Sequence, residues 1–240
     1  MTESTVYLQS AYILQAQNYR ETSLLLDVLT RDYGRISLLA NGVRKQRSKT
    51  AGLLKPFTPL IISYLGKSEL KKLQTVEPAG PNIPLTGISV YCAFYVNELI
   101  CCFLHKSDPY QELFTKYQDC LVKLLDNSNL ESTLRIFELD LLDAIGYGLQ
   151  LDFDANEVKP VCQNNVMNRY GFSIDSGLVV DNNGQISEKT RQAMLERQFT
   201  DPQVLAETKK LMRTVIDLYL QGKQLKSRTV INKIMKAKHG

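Results

Sequence analysis

A chain of 240 residues that is 44% hydrophobic and 22% charged is neither disordered nor collagen-like, and it suffices for one large domain or two modest ones. No apolar run reaches the roughly 18 residues needed to cross a bilayer. The start, MTESTVYLQS, has neither the basic region nor the apolar core of a signal peptide, so a cytoplasmic protein with no membrane partner is expected. The net charge of +4 conceals a division: cations outnumber acids 11 to 6 over residues 1–80, acids outnumber cations 17 to 9 over 81–204, and cations outnumber acids 9 to 2 over 205–240. Basic ends around an acidic middle favour a polyanionic partner for the ends; the alternative is that the ends pair with the middle.

Residues 6–77 read as five strands. Val6 to Ala16, Thr22 to Thr30, Arg35 to Gly42, Leu53 to Leu65 and Glu69 to Glu77 are apolar or alternating runs separated by turn material. Arg31-Asp32-Tyr33-Gly34 and Gly66-Lys67-Ser68 are hairpin signals. Five strands in so short a span must close on themselves to bury their edges, which predicts an OB-type barrel over residues 1–80. Within it, Gly34 to Lys49 (GRISLLANGVRKQRSK) joins a mostly apolar strand to a cluster of cations, and Gly42 frees the backbone to turn between them. Such a stretch can fan cations along a phosphate backbone, or it can be a solvated basic loop.

The linker EPAGPNIP, residues 77–84, ends the strand pattern, and the period becomes helical. A helical domain is therefore predicted over 81–240, giving an α+β chain. Leu85 to His105 is apolar nearly all round and reads as the spine of that domain. Asp108-Pro109 is read as an N-cap and first helical residue of a helix over about 109–126, and a third helix over 130–145 stops at Gly146-Tyr147-Gly148. These three helices are expected to pack as a bundle core. Residues 149–181 are irregular, with a short hairpin over Tyr170 to Asp181 turning at Asp175-Ser176-Gly177. Helices over 188–196, 202–220 and 228–237 complete the chain, the second opened by Thr200-Asp201-Pro202 and stopped at Gly222, the last capped by Ser227.

Catalytic constellations are scarce. The two histidines, His105 and His239, lie far from metal-ligand spacing with any Cys, Asp or Glu, and there is neither G-x-x-x-x-G-K-[ST] nor G-x-G-x-x-G. The five cysteines (Cys92, Cys101, Cys102, Cys120, Cys162) form no C-x-x-C pair, so neither disulfides nor zinc are expected. Glu138, Asp140 and Asp143 are spread around their helix by spacings of two and five. A nuclease built on Asp140, Asp143, Asp152 and Asp154 is the weakest reading. Binding features are richer: Arg20, Arg35, Arg44, Lys45, Arg47, Lys49, Lys55, Lys71 and Lys72 accompany Tyr7, Tyr12, Tyr19, Tyr33, Phe57 and Tyr64, the mixture of cations and rings that single strands require. About half the rings must face the core, and Lys71-Lys72 could equally protect a strand edge. Lys223, Lys226 and Arg228 form a second basic site suited to an anionic partner. The reading is a non-enzymatic DNA-binding protein; the alternative is an OB-fold RNA-binding accessory factor.

The residues resemble the bacterial recombination mediator family RecO. In the barrel the likeness is carried by Tyr19-Arg20-Glu21-Thr22-Ser23, Asp27 to Thr30 with Gly34-Arg35, Gly42-Val43-Arg44, Leu54-Lys55-Pro56-Phe57-Thr58-Pro59 and Leu70-Lys71 leading to Glu77. In the helices it is carried by Asn97-Glu98-Leu99, Arg135-Phe137-Glu138, Gly146-Tyr147-Gly148 and Gly222-Lys223 with Leu225 to Arg228. The resemblance implies an OB barrel followed by a helical domain and a nucleoid-associated protein of DNA damage repair. It implies binding of single- and double-stranded DNA, strand annealing, and work with RecR in loading RecA onto DNA covered by single-strand binding protein. It also implies that the acidic tail of the single-strand binding protein docks on the helical domain. Many members carry a four-cysteine zinc site around residues 150–180, of which Cys162 alone remains here, so no cofactor is expected.

Overall fold

The computed structural model describes residues 5–45, 48, 50–151, 169–174, 176–181 and 183–238, with the backbone alone at 232 and 235–238. Strands β1 (Thr5–Tyr19), β2 (Ser23–Thr30), β3 (Gly34–Ala40), β4 (Leu60–Leu65) and β5 (Leu70–Pro78) close into a barrel in the order β1-β2-β3-β5-β4. Every pairing is antiparallel except β3 with β5. This is the order of an OB-type barrel, and the chain is α+β as the sequence indicated. Period-two alternation sends one face of each strand inward. Ala11 and Ile13, Leu26 and Val28, Ile36 and Leu38, and Ile62 and Tyr64 fill the interior, all of them 1% exposed or less.

The fourth strand begins later than its apolar run suggests. Leu54 and Phe57 are buried from an irregular segment, because Pro56 and Pro59 lack the N–H a ladder needs, and Phe57 lies at φ 66. Hydrophobicity in 53–59 therefore marks a loop that plugs the barrel rather than a strand.

Two compact units emerge, Met1–Asn127 with Leu225–Gly240, and Ser128–Gln224. The first holds the barrel, α1 (Ile88–Phe103) and α2 (Gln111–Lys123), and the C-terminal segment. Buried Asn97 of α1 ties its elements together: its amide donates to the Leu14 carbonyl of β1 at 2.9 Å, and its carbonyl accepts from Tyr117 Oη of α2 at 2.7 Å. The Tyr12 ring packs at 5.7 and 5.2 Å from Phe114 and Tyr117. The expected cap at Asp108 does not form. Helix α2 starts at Gln111 without a side-chain cap, and the Asp108 carboxylate accepts the Tyr110 hydroxyl instead.

The second unit holds α3 (Leu130–Ala144), a sheet of β6 (Arg169–Ser173), β7 (Gly177–Val180) and β8 (Ile186–Ser187) in the order β7-β6-β8, then α4 (Glu188–Glu196) and α5 (Pro202–Tyr219). The packing of α3 with α1 and α2 as one bundle core does not describe this grouping, in which α3 packs with α5. Gly146 at φ 80 ends α3, with Gly146 N–H on the Asp143 carbonyl and Tyr147 N–H on the Leu142 carbonyl, a Schellman stop. Asp201 caps α5, accepting from Gln203 N at 2.7 Å with Pro202 at the first turn. The final helix, α6 (Lys226–Lys238), belongs to the first unit and begins one residue before the expected cap, Ser227.

Candidate nucleic-acid interface

The barrel's outward surface is unevenly covered. At one end Leu29 pairs with Arg35 across β2 and β3, and Arg35 is drawn into the fold. Its guanidinium donates to the Cys101 carbonyl near the end of α1, and its own carbonyl accepts from Ser107 N at 2.8 Å. Arg35 thus holds the segment after α1 on the barrel. Further along, Ser37 Oγ donates to Asp27 at 3.2 Å, and beyond that pair the surface opens.

At the open end the register aligns Leu25, Leu39, Lys72, Leu65 and Thr5 in one row across β2, β3, β5, β4 and β1. Their neighbours Leu24, Leu26, Leu38, Tyr64 and Val6 pack inward, so the row faces outward. Lys72 and Thr5 are exposed, while the three leucines are half-buried. Cations border the row where β1 turns into β2 and where β3 ends. Arg20 is exposed at φ 51 with its guanidinium carbon 5.3 Å from the Tyr19 ring centroid. Exposed Arg44 reaches it, donating from Nη1 to the Arg20 carbonyl at 3.3 Å, while Arg44 N–H donates to the Thr22 carbonyl at 2.8 Å. Gly42 turns the chain at φ 69, and exposed Lys45 packs its stem over it.

Arg20, Arg44, Lys45 and Lys72 are therefore exposed cations on this row or beside its end. Lys55 is exposed on the plug segment, and Lys71 is half-buried with Nζ on the Ser68 carbonyl at 3.2 Å. Arg47 and Lys49 lie outside the described residues. Of the rings, Tyr12, Phe57 and Tyr64 are core, at 3%, 8% and 1% exposure. Burial, with the Tyr33 hydroxyl adding to it, pushes the Tyr64 phenol up to about 12. Tyr7 and Tyr33 are exposed at 70% and 42%. Sequence reasoning missed Leu25, Leu39 and Leu65, because an apolar residue on an outward face looks the same as a core residue until register is known.

The second basic site is divided: Lys223 belongs to the second unit, and Lys226 and Arg228 to the first. Lys223 and Lys226 are exposed. Arg228 is half-buried on α1, its guanidinium carbon 5.6 Å from the Tyr95 ring centroid. Glu98 of α1 caps α6 in place of a local residue, accepting from Lys226 N and Ser227 N at 2.9 Å each and from Ser227 Oγ at 2.5 Å. Two of the four acids named for a nuclease, Asp140 and Asp143, meet a cation. Arg197 bonds both Asp140 and Asp143; burial, with Asp140 adjacent, nevertheless raises the Asp143 carboxyl above its usual range. Asp152, Asp154 and Cys162 lie outside the described residues.

A five-stranded OB-type barrel with exposed cations on its outer surface and a helical continuation defines the class of this molecule. Two family models cover nearly all of it, Recombination protein O N terminal over residues 1–82 and Recombination protein O C terminal over 85–229. The chain is 41% identical over 227 residues to the DNA repair protein RecO of Methylococcus capsulatus, covering 94% of this chain and 93% of that protein. It is 38% identical over 234 residues to that of Nitrosococcus oceani, with 95% and 94% coverage. For the Coxiella burnetii protein of the same name the figures are 40% over 233 residues, with 94% and 98% coverage. The chain belongs to the RecO family, and membership supports a role in DNA repair and recombination.

Proposed function

We propose that the protein is a recombination mediator that binds single- and double-stranded DNA on the open barrel face, anneals complementary strands, and with RecR helps load RecA onto DNA coated with single-strand binding protein. The observation that carries the reading is the clustering of exposed Arg20, Arg44 and Lys45 where β1 turns into β2 and β3 ends, with exposed Lys72 paired beside Leu39 of β3. Annealing needs no covalent step. It requires that the charge of two strands be screened while their bases stay accessible, which a shallow cationic face supplies without catalytic residues or a metal. The acidic tail of the single-strand binding protein is a further proposed partner, docking on the helical part.

Replacing Arg44, Lys45 and Lys72 by Ala tests the reading. Single-stranded DNA affinity should fall, and the slope of log affinity against log salt should flatten by about 0.7 for each phosphate that is no longer neutralised. An unchanged slope would show the three to be solvated. Competition by RNA of equal length addresses the other nucleic acid: a strong preference for RNA would indicate 2′-hydroxyl contacts and replace the DNA assignment. Elemental analysis of the purified protein should give zinc well below one equivalent, and chelator should leave thermal unfolding unchanged.

A further inference from the structure

We propose that Tyr7 and Leu8, at the start of β1, form an apolar wedge that stacks on unpaired bases of the strand held by the open barrel face. The inference rests on the nucleic-acid reading above and assigns it a base-contacting element. From Val6 to Gln9 β1 advances three residues, while β4 advances two between their partners Tyr64 and Ile62. One residue is therefore extra, and the strand bulges. Leu8 lies at φ 52, a region leucine enters unfavourably, and the bulge is held by its N–H on Ser63 Oγ at 3.2 Å.

The consequence is unusual for a barrel strand. Alternation normally hides every second side chain, yet Tyr7 and Leu8 are exposed side by side, at 70% and 71%. Tyr7 shares the outward face with Thr5, Leu65 and Lys72, since intervening Val6 packs against the core. Lys72 stands two strands from Thr5, about 10 Å away by ordinary strand spacing. The turn end of the β4–β5 hairpin beside it, residues 66–72, carries Lys67, Lys71 and Lys72 against one acid, Glu69, which Lys106 engages at 2.6 Å. An exposed ring and aliphatic group flanked by cations suit an unpaired base and its phosphates, because every base offers a π-face. An apolar protein segment gains nothing from those cations.

The test uses the full chain, a thymidine oligonucleotide of about 20 residues, longer than one barrel site, and an abasic oligonucleotide of equal length. Affinities are measured by anisotropy at several salt concentrations. On the thymidine strand, Tyr7→Ala/Leu8→Ala should bind about 5- to 150-fold more weakly than the unaltered protein, the loss expected for one base stack, with the salt slope unchanged. On the abasic strand the two should bind alike, and Tyr7→Phe should match the unaltered protein on both. Tyr7→Ala alone, which leaves the bulge residue in place, should show most of the effect. Equal affinities on the thymidine strand would overturn the proposal and leave the patch to another occupant. An equal loss on both strands would overturn it too, since the contact would not be to bases. If the unaltered protein binds neither strand, the nucleic-acid reading itself fails and the wedge with it.

Discussion

Gly34 shows how tightly single positions are set. It is buried at φ 62 where β3 begins, and a Cβ there would lie 1.8 Å from the Asp108 carbonyl oxygen. Gly42 has a similar φ of 69, but the nearest atom to its Cβ is the flexible Lys45 side chain at 3.5 Å. Gly34→Ala therefore combines backbone strain with a backbone collision, and should cost roughly 2–4 kcal/mol in urea unfolding, against about 1 kcal/mol for Gly42→Ala. Equal costs would mean that the Asp108 segment moves aside. Asn97 is the other such position. Asn97→Leu removes the hydrogen bonds that the Leu14 carbonyl and the Tyr117 hydroxyl make to this side chain, and should cost about 2–4 kcal/mol. Adding Tyr117→Phe removes the hydroxyl on the other side of the same hydrogen bond, so the double variant should be less unstable than the two single effects summed.

Among the elements, α4 carries a pH-sensitive contact. Glu188, in its first turn, accepts from Arg191 Nη2 at 2.6 Å and from the Tyr170 hydroxyl of β6. The Arg191 hydrogen bonds hold its carboxyl below the usual carboxylate range, against a smaller opposing effect of burial. A depressed folded value means that the contact stabilises the protein above the unfolded carboxylate pKa, and that this gain is lost as pH falls through the folded value. Because the Glu188 side chain is 42% exposed, screening limits the effect. Glu188→Gln should cost about 1 kcal/mol at neutral pH, and the difference from the unaltered protein should shrink to nothing at acid pH. A difference that persists there would assign the effect to packing.

The elements also show what was legible in the chain. Helix spans and the stop at Gly146 could be read because periodicity and glycine punctuation are local, whereas after α5 the left-handed residue that follows the Leu220 cap is Gln221 at φ 50, one before the expected Gly222. The Asp108 cap and the 53–59 strand could not: both depend on what the segment packs against. Of the cations, Arg20, Arg44, Lys45 and Lys72 stay exposed, but Arg35 and Arg228 turn inward onto the Cys101 carbonyl and the Tyr95 ring. Composition gives the number of cations in a segment; only tertiary partners determine which remain available to a ligand. The Tyr7–Leu8 bulge was equally hidden, since an extra residue in a strand is defined by its neighbour's register and not by its own sequence.

At the scale of the molecule, the boundary the sequence marks and the compact units divide the chain differently. The family models change over between residues 82 and 85, beside the Pro-rich linker, whereas the first unit takes the barrel, α1, α2 and the last segment of the chain together. That unit is completed only when residues from both ends meet, through Glu98 on the N–H groups that open α6, Arg228 on Tyr95, and Leu225, which is 4% exposed. Ending the chain after Gln224 should abolish all three interactions. Burial of one leucine contributes about 1.5–3 kcal/mol and a helix cap about 1 kcal/mol, so the first unit should be weakened by roughly 2.5–4 kcal/mol. Glu98 and Tyr95 would be left facing water on α1. Hydrogen exchange should then accelerate across α1 and in the β1 residues it holds, while α3 and α5 of the second unit keep their protection, since local opening follows the cooperative unit that is weakened. Glu98→Ala in the full chain should reproduce a fraction of the same change. Uniform loss of protection in both units would show that they unfold as one cooperative body, and unchanged protection in α1 would show that the C-terminal helix is dispensable to the barrel unit.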